Sequence, residues 1–249
     1  MRNPIPLGEA AGAIFGGFTM MWRPGLRSLV IIPLVLNTLI LFALLGLIGG
    51  WIQGWVDILM DWLPEWLHWL GWLLRLAIWL AALMVFGLIF TVSANLVGAP
   101  FYGFLAARAE AQLTGRKPES RLSLMQEATL AVATELRKTW YWLWRAALLG
   151  VLSLLLFWIP GVVPVLWFVF GAWMLSLEYL DYPASNHGLN FAAKRLWLRQ
   201  HRGLSYSFGS GVALVTMIPI VNLFVPPAAV VGATRLWVAS VGDGQTAKT

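Results

Sequence analysis

The chain has no cysteine. Disulfides and thiolate metal sites are therefore excluded. Its three histidines, His68, His187 and His201, are widely separated, so a histidine-based metal centre is not expected. Charge is also scarce, at 11% of 249 residues against 59% hydrophobic. A soluble domain of this length would need far more polar surface, so the composition indicates an integral membrane protein. G-x-S-x-G, H-E-x-x-H, Walker A and dinucleotide patterns are all missing. Without a catalytic constellation, neither an enzyme activity nor a cofactor is expected.

The net charge of +6 raises nucleic acid as a partner. The positive-inside rule explains it better, because lysine and arginine collect in cytoplasmic connections. No nucleic-acid partner is expected. Met1–Arg2 precedes an apolar run broken by Gly12, Gly16 and Gly17, with no signal-peptide cleavage pattern. Direct insertion into a plasma membrane is the expectation.

Residues 7–22 place Leu7, Ala11, Ile14, Phe15, Phe18 and Trp22 at helical spacing, the pattern of an amphipathic helix at the membrane interface. Arg23–Pro24–Gly25–Leu26–Arg27 then breaks the chain. Residues 28–50 carry no charge. At 1.5 Å per residue they reach about 34 Å, enough for a hydrocarbon core of roughly 30 Å. Pro33 lies near the start of this span, and Gly46 and Gly50 form a GxxxG pair that permits close helix contact.

In residues 51–75, Asp57, Asp61 and Glu65 share one helical face and Trp51, Trp55, Trp62, Trp66 and Trp69 fall on the other. This reads as a segment at the outer interface, bent at Pro64. Residues 76–107 are again uncharged, longer than one span needs, with Asn95, Gly98, Pro100 and Gly103 interrupting the second half. Residues 108–145 carry Arg108, Arg116, Lys117, Arg121, Arg137, Lys138 and Arg145 against Glu110, Glu119, Glu127 and Glu135. They read as a cytoplasmic pair of helices with a turn at Thr114–Gly115. Leu122, Leu124, Ala128 and Leu130 give that region some apolar surface.

Two apolar stretches follow. Residues 146–177 break at Pro160–Gly161 and Pro164, and residues 203–234 break at Pro219 and Pro226–Pro227. Between them, 178–202 reads as a cytoplasmic loop, Glu178 to Pro183, and a basic helix with Lys194, Arg195, Arg199 and Arg202. Residues 235–249 form a tail. The four arms of the broken stretches are about 14–17 residues, or roughly 21–26 Å, short of the core. No basic residue lies between Arg145 and Lys194 or between Arg202 and Arg235. Each stretch therefore reads as a hairpin that enters and leaves by the same face. Four short full spans are the alternative, and both arrangements put the basic connections inside.

The expected fold is an all-α integral membrane protein of one domain. It has two long transmembrane helices, two proline-broken hemi-penetrating hairpins and an N-terminal amphipathic helix. The leading candidate site is the corner Arg23–Ser28. Proline and glycine at the start of a spanning helix leave N–H groups free, and the helix dipole favours an anion there. Arg23 and Arg27 add positive charge and Ser28 a hydroxyl donor. A positive-inside flank with a turn is the plainer alternative.

Several ordered elements resemble one family. They are Gly25–Leu26–Arg27 before Ile32–Pro33 and Asn37, and Asn95 to Ala99–Pro100–Phe101 and Gly103. Tyr179–Leu180–Asp181–Tyr182–Pro183 follows, with Gly188, Phe191, Arg195, Leu198–Arg199 and Arg202. Ile218–Pro219, Asn222, Pro226, Gly232–Ala233–Thr234 and Leu236–Trp237 complete the set. Over nearly its whole length the chain resembles the CysZ sulfate permease family of bacterial inner membranes. The resemblance implies sulfate uptake feeding cysteine synthesis, and assembly as a dimer or higher homo-oligomer in the lipid bilayer; from the charge distribution both termini are expected to be cytoplasmic. It also implies sulfate binding at a Gly-Leu-Arg helix start, which falls on Gly25, Leu26 and Arg27. Ser28 stands where some relatives carry a second arginine. Arg108 and Glu110 are further pathway candidates, and Asp181 is expected to brace the loop around Pro183. The rival reading is a membrane scaffold or regulatory protein that docks lipids or a partner without flux.

Overall fold

The computed structural model describes residues 6–62, 64–116, 118 and 124–241. Lys117, Glu119, Arg121, Leu122 and the tail after Val241 lie outside the described residues. So do the side chains of Asp57, His68, Asn95, Ala99, Pro100, Leu124, Glu127, Ala128 and Leu130, and position Gly50.

Among the described residues every regular element is helical. The order is α1 (Leu7–Met20), α2 (Arg27–Asp61), a 3-10 turn (Glu65–Leu70), α3 (Gly71–Thr114), α4 (Leu124–Leu156), α5 (Val162–Asn186), α6 (Phe191–Gln200), α7 (Arg202–Thr216), α8 (Pro219–Asn222) and α9 (Val225–Val241). Two compact units result, residues 28–101 and the remainder.

In the 28–101 unit, the helices outrun the segments expected from charge. α2 continues past residue 50 to Asp61, so the first half of the tryptophan-rich segment belongs to it. Glycine and aspartate there lower helix propensity without ending a helix, whereas Pro64 does end it. Pro33 sits inside α2 without terminating it. α3 runs unbroken from Gly71 to Thr114 through the positions expected to interrupt it. Its residues 71–101 belong to this unit and the rest to the other. Trp51, Trp55, Trp62, Trp66 and Trp69 are all exposed. Gly46 faces open space, so the GxxxG pair makes no close contact on that side.

The other unit is built around four helices. α1 packs on α7 and α9, and α5 packs on the same two, so both arms of the second broken stretch lie between α1 and α5. Ile14, Leu177, Leu180, Phe208, Val212 and Val230 are fully buried there. α1 buries Ala10, Ala13, Ile14, Gly17 and Met20. Leu7, Phe15 and Trp22 are exposed. α1 also meets its neighbours at close backbone crossings. A Cβ on Gly17 would overlap the Ala228 carbonyl, one on Gly211 the Ala11 carbonyl and one on Gly232 the Ala13 carbonyl. No side chain fits at those three glycine positions.

The breaks fall where proline and glycine require them. α4 and α5 meet at Phe157–Gly161, with Gly161 at φ +80°. Trp167 Nε1 donates to Ser153 Oγ across this turn at 3.1 Å. α7 stops before Ile218–Pro219, and Asn222 N donates to Ile218 O at 2.8 Å. Pro226 and Pro227 lie in the first turn of α9, where no intrahelical N–H is needed.

The arms of the first broken stretch are longer helices than charge suggested, and those of the second are not. α4 and α5 have 33 and 25 residues. Parts of both, and of α2, are long and apolar enough to cross a membrane. Charges shortened the expected arms, but a helix continues through charged residues. Glu178–Tyr179–Leu180–Asp181–Tyr182–Pro183 is accordingly the last part of α5 and not a loop. α7 and α9 remain short, at 15 and 17 residues. Asp181 braces a helix junction, because its Oδ1 accepts from buried Lys194 Nζ on α6 at 2.7 Å. Lys194 also donates to Ser185 Oγ at 2.6 Å.

Candidate functional site

The corner between α1 and α2 is a tight turn. Arg23 N donates to Met20 O at 3.0 Å, closing the end of α1. Leu26 N and Arg27 N both donate to Arg23 O, at 3.0 and 3.2 Å. Gly25 takes φ +86°, a conformation that costs an L-residue with a Cβ about 1–2 kcal/mol. Leu26 is fully buried and pins the turn to the core. Arg23, Pro24, Gly25 and Arg27 are exposed. Ser28, the first residue of the other unit, is exposed as well.

This geometry alters one expectation. The amides of Leu26 and Arg27 are already bonded to Arg23 O, so they do not point free at an anion. The corner also carries the guanidinium groups of Arg23 and Arg27. Arg23 and Arg27 have no carboxylate partner among the described residues. A third guanidinium arrives from α3, where Arg108 Nη1 donates to Gly25 O at 3.1 Å. One turn later, Gln112 Nε2 donates to Pro24 O at 2.9 Å. The carbonyl oxygens that would repel an anion are thus covered by donors.

Arg108 and the corner are therefore brought together, and Glu110 is not part of the group. Residues two apart do not face each other on a helix. Glu110 is buried and its Oε1 lies 2.7 Å from His187 Nε2. His187 closes that pair beside Trp237. Gln112 was missed in the sequence. Its spacing of four from Arg108, on one helix face, is the signal that could have found it. No group of three or more histidine or acidic residues that could hold a metal occurs among the described residues.

Gly25→Ala tests the corner directly. A Cβ there would lie 3.7 Å from Gln112 Nε2, an ordinary contact. The cost is then conformational, about 1–2 kcal/mol. A thermal melt should show a lower midpoint for Gly25→Ala and a smaller drop for Gly25→Asn, since asparagine tolerates this region better.

Residues 13–227 match the family model described as sulfate transporter CysZ/etoposide-induced protein 2.4. The chain belongs to that family. It is 40% identical over 230 residues to a protein named sulfate transporter CysZ from Pectobacterium atrosepticum, covering 90% of this chain and 82% of that one. A protein of the same name from Salmonella typhimurium is 39% identical over 228 residues, covering 89% and 88%. The family resemblance read from the ordered motifs is thereby established. With three helices among the described residues apolar and long enough to span, and every regular element there helical, this member is an all-helical membrane protein.

Proposed function

We propose that the protein carries sulfate across the bacterial inner membrane into the cytoplasm, supplying sulfate assimilation and cysteine synthesis. Sulfate would be held at the corner made by Arg23, Gly25, Leu26, Arg27 and Ser28. The observation that carries this reading is the gathering of Arg23, Arg27 and Arg108 around one left-handed turn. No acidic partner accompanies them among the described residues. The names of the relatives support the same substrate.

The donor set suits the ion. Sulfate is a dianion at neutral pH with no proton to donate, so a site made only of donors satisfies it. Phosphate that retains a proton would also need an acceptor. Guanidinium groups present a planar fork that matches two oxyanion oxygens. An unpaired dianion in a low-dielectric path is very costly, so donors must follow in series. Arg108 would form the next contact, reached through the bond that also holds the turn. Glu110, tied to His187, would brace α3 and repel the anion from the wall. Binding must stay weak enough for release. Assembly as a dimer or higher homo-oligomer, with both termini cytoplasmic, belongs to the same proposal.

Equilibrium binding of radiolabelled sulfate to the purified protein tests the site. Saturable binding is expected. Arg108→Ala should weaken it several-fold, because both a charge and the turn's support are lost. A monodisperse sample that binds no sulfate would refute the reading.

A further inference from the structure

A second basic site lies on α4 and α6, away from the corner in sequence. Arg145 Cζ stands 3.6 Å from the centre of the Tyr141 ring. Arg195 Cζ lies 5.5 Å from the same centre. Two guanidinium groups are thus held around one phenol. Tyr141 itself is fixed, buried edge-on against Phe191 and accepting from Trp173 Nε1 at 3.0 Å. The nearby acids are engaged elsewhere, since Lys138 Nζ binds Glu135 at 2.8 Å and Glu178 at 2.9 Å. Among the described residues neither Arg145 nor Arg195 has an acidic partner. Half-buried like charges drawn to one ring repel each other, and an anion between them removes that cost.

Position identifies the anion. Arg145 is the last charged residue before the uncharged stretch 146–177. Trp140, Trp142 and Trp144, in the turn before it, are all exposed. These tryptophans stand inside α4 where its charged half, up to Arg145, gives way to its uncharged half, and tryptophan beside such a boundary is enriched at headgroup depth. The ligand present at that depth in excess is phospholipid. We propose that Arg145 and Arg195, on the Tyr141 platform, clamp the phosphate of an anionic phospholipid. The guanidinium forks would bind the non-bridging oxygens, with the acyl chains lying along the apolar surface of α4. The site would fix α6 against α4 and the bilayer, and it does not depend on the sulfate reading.

The test is lipid retention by the purified full-length protein, read by native mass spectrometry after titration with phosphatidylglycerol or phosphatidylcholine. The wild type is expected to retain phosphatidylglycerol in preference. The R145Q/R195Q double variant should lose about tenfold in retention, the scale of one charge-assisted hydrogen bond. Each single variant should fall between, and serves if the double variant does not fold. Sulfate at millimolar concentration should leave the bound lipid in place, and sulfate binding at the corner should be unchanged in the variants. Equal retention by wild type and variants would overturn the proposal. Displacement by sulfate would overturn it in favour of a soluble oxyanion site. Equal retention of phosphatidylcholine would overturn the preference for an anionic lipid.

Discussion

Arg27→Ala is expected to weaken sulfate binding about tenfold to a hundredfold while leaving the protein folded. A hydrogen bond to a charged group contributes about 1.5–3 kcal/mol, and 1.36 kcal/mol is one factor of ten. Arg27 is exposed and has no acidic partner among the described residues. Its removal therefore leaves no buried group unpaired and should not move the melting midpoint. Arg27→Lys keeps the charge but loses the planar fork, so an intermediate affinity is expected. Arg116→Ala removes another exposed arginine, outside the corner, and should bind like the wild type. If Arg116→Ala weakened binding as much as Arg27→Ala, general positive charge would explain the effect and the corner would not.

Gly209→Leu should be the most damaging single change to the fold. A Cβ there would overlap the carbonyl of Ala172 and the hydroxyl of Ser176 on α5. Ser176 Oγ donates to Ser205 O at the same crossing. The obstacle is backbone, so no side-chain rotation relieves it. Overpacking usually costs about 1–3 kcal/mol, and separating two helices here should exceed that. In lipid, helices associate through close packing and interhelical hydrogen bonds rather than the hydrophobic effect. Separating them removes the main source of cohesion. Size-exclusion profiles in detergent should show a monodisperse wild type and a lost or aggregated Gly209→Leu. Gly171→Leu, at a glycine with open space beside it, should resemble the wild type.

Gly209 also shows what the sequence could not reveal. Gly46 and Gly50 had the recognised spacing, yet a Cβ on Gly46 would meet nothing within 4 Å and the close crossings occur at Gly17, Gly209, Gly211 and Gly232. A glycine's neighbour is a tertiary fact, and spacing along one helix does not contain it. The turns were legible because their chemistry is local. Gly25, Gly115 and Gly161 all adopt positive φ at breaks expected from glycine or proline. Helix ends were misjudged wherever charge was taken as a boundary. Glu178 and Asp181 interrupt hydropathy but not helix geometry, so α5 extends to Asn186. The site was half legible. Arg27 and Gly25 followed from the helix start, but the bonds from Arg108 and Gln112 span 83 and 88 residues. The pairing of Glu110 with His187, 77 residues away, was equally out of reach of the sequence.

Radiolabelled sulfate uptake by proteoliposomes containing only the purified protein tests the central claim most directly. Uptake should exceed that of empty liposomes, saturate with sulfate and fall in Arg27→Ala to the extent that binding falls. Repeating it with and without an imposed proton gradient would identify any coupling. A monodisperse, correctly inserted protein that gave no uptake above empty liposomes under either condition would contradict the account. It would leave the membrane scaffold reading in its place.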